Sequence, residues 1–225
     1  MSHYSVLVNA GPCSVHQLAA LDLHDIYDRV AEPLVPYFWH PDMWDEPGDA
    51  PRPRDAVSTW DWFLIGGRWR GHFVARSGNP IVGSPGVPEH IAISDGVVED
   101  RLTELRRQRR TDVVVAGDID LEAMRTLWLA DGAAWYDSCV LSGEALDSHG
   151  LTPSQMSRED YLARVARSYS PATHAICDAN GWRESPKGPT PQDEEAGWPA
   201  WEARWHEYVD SLDADTLLVL VDCHE

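Results

Sequence analysis

Lysine is nearly absent from this chain: Lys187 stands alone among 18 basic residues, and the rest are arginines. Against them stand 37 acidic residues, for a formal charge of −19. That balance repels a phosphate backbone, so direct nucleic-acid binding is not expected. No apolar run approaches the roughly 20 residues that a membrane span needs, so no membrane partner is expected either. Cys13, Cys139, Cys177 and Cys223 are the four cysteines, and no two form a CxxC pair. The first residues carry no basic, long apolar leader. The cysteines therefore read as reduced thiols of a cytoplasmic protein rather than as two disulfides. HExxH, the P-loop pattern and the triple-glycine dinucleotide fingerprint are all missing. What is present is 43% hydrophobic residues and 11 tryptophans in 225 positions. This supports one domain over 1–225, with Pro-rich excursions at about 37–59 and 185–197.

The spacing of apolar residues predicts the elements. Tyr4, Val6 and Val8 alternate with Leu7 as in a strand. Leu18 to Val30 repeat at helical spacing until Pro33. Residues 60–76 read as two strand-like halves around Gly66-Gly67, a hairpin turn or bulge, with Arg68, Arg70, His72 and Arg76 on one face. Residues 77–96 read as loop and 97–110 as a helix, acidic at Glu99 and Asp100 and basic at Arg106 to Arg110. Val113–Val115 reads as a short strand. Asp118 or Asp120 caps a helix to about Tyr136, and Ser157 caps another. Asn180-Gly181 turns a hairpin over 172–184. Trp201, Trp205, Val209 and Leu212 mark a helix over 199–212. Thr216–Cys223 is apolar on both faces, the mark of a central strand. The order predicts an α+β fold: a largely antiparallel sheet with helices packed on one side.

Four places carry candidate chemistry. At the C-terminal strand, alternation puts Asp222 and His224 on one face and Cys223 on the other. Asp222 and His224 would need a third ligand to hold a divalent metal such as zinc, and His72 is the donor offered by the neighbouring ribbon. Cys223 is a candidate nucleophile, and His224 a candidate acid or base. The plain alternative is a buried thiol beside a solvent-facing histidine. Gly66, Gly67, Arg68 and Arg70 resemble an anion cradle, since glycine lets amides approach and arginine offers a fork. Their plain alternative is pairing with the surplus carboxylates. Trp60, Trp62, Trp69 and Trp182 could line an aromatic pocket, but the preferred reading is core, because large aromatics carry most of the burial in small sheets. Asp118 and Asp120 are metal ligands or caps. Trp201 and Trp205 read as core.

Three blocks, Trp60 to Gly71 (WDWFLIGGRWRG), Gly117 to Met124 (GDIDLEAM) and Asp215 to His224 (DTLLVLVDCH), together resemble a family of uncharacterised proteins of phages and bacteria, actinobacteria included. The resemblance implies a single α+β unit, a cytoplasmic setting and a phage-linked origin, and it transfers no catalytic role.

Three functional readings stand. The first is a small enzyme acting on an anionic small molecule or nucleotide. Arg68 and Arg70 would hold the anion, and His72, Asp222, Cys223 and His224 would supply the chemistry. The second is a non-enzymatic acidic protein that binds a basic partner or mimics nucleic acid. The third is a sensor that uses the tryptophans without chemistry. The first is preferred, because a cationic strand face is the least expected feature of so acidic a chain. It requires the arginine-bearing ribbon to lie beside the final strand.

Overall fold

Nine consecutive residues at Thr216–His224 (β8) are all buried, and they organise the fold. A strand apolar on both faces needs cover above and below and a partner on each edge. In the computed structural model, which describes residues 3–37, 60, 62–77, 81–83, 103–147, 150–186 and 191–224, β8 has all of these. One edge pairs antiparallel with β1 (His3–Pro12), with Val6 opposite Val221 and Ser5 opposite Asp222. The other edge is shared. β2 (Trp62–Ile65) takes the C-terminal half, with Leu64 opposite Asp222. The short run Val113–Val115 takes the N-terminal half, with Val113 opposite Val219. Beyond β1, the sheet continues with Ala175–Asp178, parallel to β1, and Gly181–Glu184, antiparallel to it in turn. Phe73–Val74 (β3) and Arg110–Thr111 (β4) form a separate two-stranded pair. In chain order the strands after β4 are β5 (Val113–Val115), β6 (Ala175–Asp178) and β7 (Gly181–Glu184).

The expected α+β class with a largely antiparallel sheet is therefore present. Alternation divides the sheet into two faces. On the first, Val6, Val8, Val219 and Val221 meet Ile26, Val30 and Leu34 of α2 (Leu23–Leu34), all fully buried in one cluster. The four-residue spacing of those three side chains makes a single stripe on the helix. Asp22 caps α2 by accepting the His24 and Asp25 amides and thereby separates it from α1 (Val15–Leu18). The single helix expected over 16–31 is thus two, and α2 runs to Leu34, through the Pro33 expected to stop it.

A further helix, Pro191–Asp210, reaches the second face; it begins inside the Pro-rich excursion expected at about 185–197, rather than at 199, and ends at Asp210 rather than 212. Its Tyr208 hydroxyl accepts from Asn9 Nδ2 at 3.1 Å, and the Arg183 guanidinium lies 4.7 Å over the Tyr208 ring. Asn9 and Arg183 both point away from the α2 side by alternation with Val8 and Trp182. Cover from this face adds to the expected helices on one side. Trp201 and Trp205 are buried, as expected, with Trp201 Nε1 donating to Thr173 O at 2.7 Å.

The chain divides into two compact units, Met1–Ile119 with Ala172–Glu225, and Asp120–Pro171. A one-domain reading of 1–225 does not separate the second. That unit holds α3 (Leu121–Ser142), α4 (Arg158–Ser168) and a core of Tyr136, Cys139, Leu146, Tyr161 and Val165. The helix Pro191–Asp210 is α5. Asp120 caps α3 by accepting the Ala123 amide at 3.0 Å, and Ser157 caps α4 as expected. α3 runs past Tyr136 to Ser142, where Gly143 ends it in a left-handed conformation at φ 76°. The expected hairpin β6–β7 forms, with Ala179-Asn180 at the turn and Gly181 opening β7 opposite Asp178. The excursion at 38–59, the loop at 84–96 and the acidic start at Glu99 and Asp100 lie outside the described residues. Among the described residues, no helix is long and apolar enough to cross a membrane.

Candidate functional site

The strand before the double glycine lies beside the final strand, but the arginine-bearing ribbon expected there after it does not pair with that strand, and the stretch is not a hairpin. β2 pairs with β8, whereas β3 pairs with β4. Between them Gly67–Trp69 forms a turn of 3-10 helix. The reason lies underneath. Gly66 and Gly67 have φ of 77° and 52°. A Cβ on Gly66 would collide with the carboxylate of Asp112, and one on Gly67 with that of Asp222. The two glycines are where the chain crosses over two buried acids. Two amides of the anion cradle expected around Gly66 and Gly67 are spent within the protein. Gly66 N–H donates to Leu220 O at 2.9 Å, and Arg68 N–H donates to Asp222 Oδ2 at 3.0 Å.

The turn also disperses the cationic row. Arg68 is exposed. Arg70 lends its charge to buried Asp112. Arg76 donates to Gly117 O at 3.1 Å. His72 goes with β3: its ring sits 5.0 Å from Phe73, and its amide serves Asp112. The trio His72, Asp222 and His224 is thus not assembled. Among the described residues, no group of three His, Cys, Asp or Glu side chains is placed to hold a metal.

His3 occupies the place expected for His72. On the sheet face away from α2, cross-strand register aligns Leu64, Asp222, Ser5 and His174 in one row, and Trp62, His224 and His3 in the next. His3 Nδ1 lies 2.9 Å from Asp222 Oδ1. Asp222 is 1% exposed, and its other oxygen accepts the Arg68 amide. The Trp62 ring stacks on His224, with centroids 4.8 Å apart and planes at 15°. His3 meets His224 edge-on at 4.9 Å.

In the first row, Ser5 and His174 are joined three ways. Ser5 Oγ and Nδ1 are 2.8 Å apart, the Ser5 amide donates to Nδ1, and the His174 amide donates to Oγ. Because Nδ1 accepts an amide proton, the ring's own proton sits on Nε2. Burial holds the His174 pKa below its ordinary value, so the ring is neutral at pH 7. Trp69 and Trp198 stand 5.8 and 5.6 Å from it.

Cys223 faces the opposite way, into the α2-side core, and is fully buried. Burial first, then the charge of Asp222, raises its thiol well above the ordinary range. A thiol so placed is no nucleophile at neutral pH, which removes it from the catalytic set. The four tryptophans do not converge on one pocket. Trp60 and Trp182 belong to the α2-side core, whereas Trp62 and Trp69 meet histidines on the other face. Asp118 holds Ser77, and Asp120 is a cap.

Sequence reasoning missed His3, Ser5, His174 and Asp112. For His3 and Ser5 a signal existed, since β1 alternation puts both on the face opposite Tyr4 and Val6. His174 and Asp112 carry none, because only the register of distant strands brings them in. No protein-family model, curated protein or solved structure matches the chain.

Proposed function

We propose that the protein is an enzyme acting on an anionic small molecule, nucleotides included, by acid–base chemistry at the His3–Asp222 pair. The observation that carries this reading is the 2.9 Å contact between His3 Nδ1 and a buried carboxylate. An ionised carboxylate only accepts, so it keeps the proton on Nδ1 and leaves the lone pair on Nε2. A base oriented in this way by a third group is the arrangement that proton-transfer catalysis uses. The Arg68 amide fixes the second oxygen of Asp222, so the carboxylate cannot swing away. The exposed Arg68 guanidinium, attached to the same turn, is the partner for the anion. His224, stacked on Trp62 and touching His3, is the second proton carrier. The acid–base role thus passes from His72 to His3, while Asp222, His224 and Arg68 keep theirs. Zinc has no part in this reading. A cytoplasmic setting agrees with four free, buried thiols.

The test is a panel of nucleoside phosphates, sugar phosphates and short carboxylates, followed by mass spectrometry with wild type and His3→Gln. At least one compound should turn over. The variant should lose about 10²–10⁴-fold in rate while its thermal unfolding stays in place. Turnover that survives His3→Gln overturns the reading, as does a panel left wholly unconsumed.

A further inference from the structure

On the sheet face away from α2, two groups of rings differ in how they are satisfied. Trp62 lies flat on His224, with planes at 15°, so each covers the other. Trp69 and Trp198 are tilted at 58° and 65° to His174, so neither lies flat on it. Both tryptophans are half-buried, and His174, buried along the edge that meets Ser5, is exposed as a whole. Tilted rings that do not cover one another's faces can receive a further, planar ring.

The hydrogen bonds of His174 define what that ring carries. Its Nδ1 is held by Ser5, which is itself buried. The two nitrogens of an imidazole point apart, so the Nε2–H is directed away from Ser5. Among the described residues no acceptor takes it. A neutral imidazole fixed in this tautomer only donates at Nε2. It therefore suits a ring with an acceptor at its edge, a ring nitrogen or a carbonyl oxygen. His174 sits two strands from Asp222, at ~4.8 Å per strand roughly 10 Å across the sheet. Trp69 follows Arg68 on the turn that rests on Asp222. A ring seated at His174 leaves the rest of its ligand to extend along this row toward Asp222.

We propose that Trp69, His174 and Trp198 form a nucleobase site, which makes the substrate of the acid–base site a nucleoside phosphate. The second half rests on the acid–base reading, and the first does not. A nucleobase is planar and carries edge acceptors, whereas sugar phosphates and short carboxylates have no ring to stack. Titration of the full-length, ¹⁵N-labelled chain with AMP and with UMP tests this by the indole N–H signals of Trp69 and Trp198. At least one nucleotide should saturate and shift both signals. Ribose 5-phosphate, which lacks the base, should bind at least about fivefold more weakly, the least expected for one stacked base. Trp198→Leu should bring the nucleotide toward the affinity of ribose 5-phosphate with the rest of the spectrum intact. Binding is read without turnover, so the two readings fail separately. A nucleotide that binds here but is never consumed supports the base site and removes the acid–base reading. A sugar phosphate consumed while neither nucleotide binds does the reverse. The proposal is overturned if neither nucleotide saturates, if the shifts fall elsewhere, or if ribose 5-phosphate binds as tightly as both.

Discussion

Replacing Asp112 by asparagine probes the most unusual acid in the molecule. Asp112 is fully buried at the junction where β2 and β5 meet along β8. Its oxygens accept the amides of Gly71 at 2.5 Å and Gly83 at 2.8 Å, and its own carbonyl accepts from Leu220 at 2.8 Å. Burial drives its pKa up, outweighing these amides and the Arg70 charge, from 3.8 to about 6. The folded state therefore holds this proton more tightly than the unfolded chain. The corresponding stability is present below the unfolded value and is lost as pH rises through the folded one. At 1.36 kcal/mol per pH unit, the gap amounts to about 3 kcal/mol, most of it lost between about pH 4 and about pH 7. Asparagine does not titrate, so the stability of wild type minus that of Asp112→Asn isolates this one group from all other acids. Urea unfolding at constant ionic strength across that range should show the difference shrinking by about 2–3 kcal/mol toward neutral pH. A difference that stays flat, or grows with pH, refutes the reasoning and would mean that the amides and the Arg70 charge outweigh burial.

Three further expectations follow from the same geometry. Gly67→Ala should cost at least about 2 kcal/mol in urea unfolding, because φ is 52° and the new methyl meets Asp222; a loss under about 0.5 kcal/mol would contradict the crossing described above. Asp120→Ala should remove the cap of α3, costing about 1 kcal/mol and speeding hydrogen exchange at Ala123; unchanged exchange there would speak against the cap. Cys223 should resist iodoacetamide in the native protein at mildly alkaline pH and react once the chain is unfolded in urea, given its burial and raised pKa; prompt native labelling at that position, read by peptide mapping, would disprove its placement.

The features legible in the chain are those that depend on neighbours in sequence. β8 declares itself by being apolar on both faces, β1 by alternation, the β6–β7 turn by Asn180-Gly181, and α2 and α5 by four-residue spacing. The departures share one cause. Gly66-Gly67 looks the same in sequence whether it turns a hairpin, cradles an anion or passes over acids. Only the strand beneath decides, and Asp222 lies 155 positions beyond Gly67. A hairpin would aim His72 at Asp222, and the 3-10 turn takes it to β3 instead. His3 and His174 enter through the registers of β1 with β8 and β6, which no local pattern encodes. Asp112 stands between a threonine and three valines, a setting that reads as strand and conceals a loop anchor.

The placement of β8 bears on how the molecule is assembled. During synthesis β1, β2 and β5 are all made before their shared partner, and the His3–Asp222 contact spans 219 positions. Until β8 arrives, those strands present open edges, the condition in which chains associate with the wrong neighbour. Closure across so wide a separation is entropically slow. Refolding from denaturant should therefore be slow and should yield less at high protein concentration, and supplying residues 216–224 as a separate peptide to a chain that lacks them is the direct way to watch the sheet close.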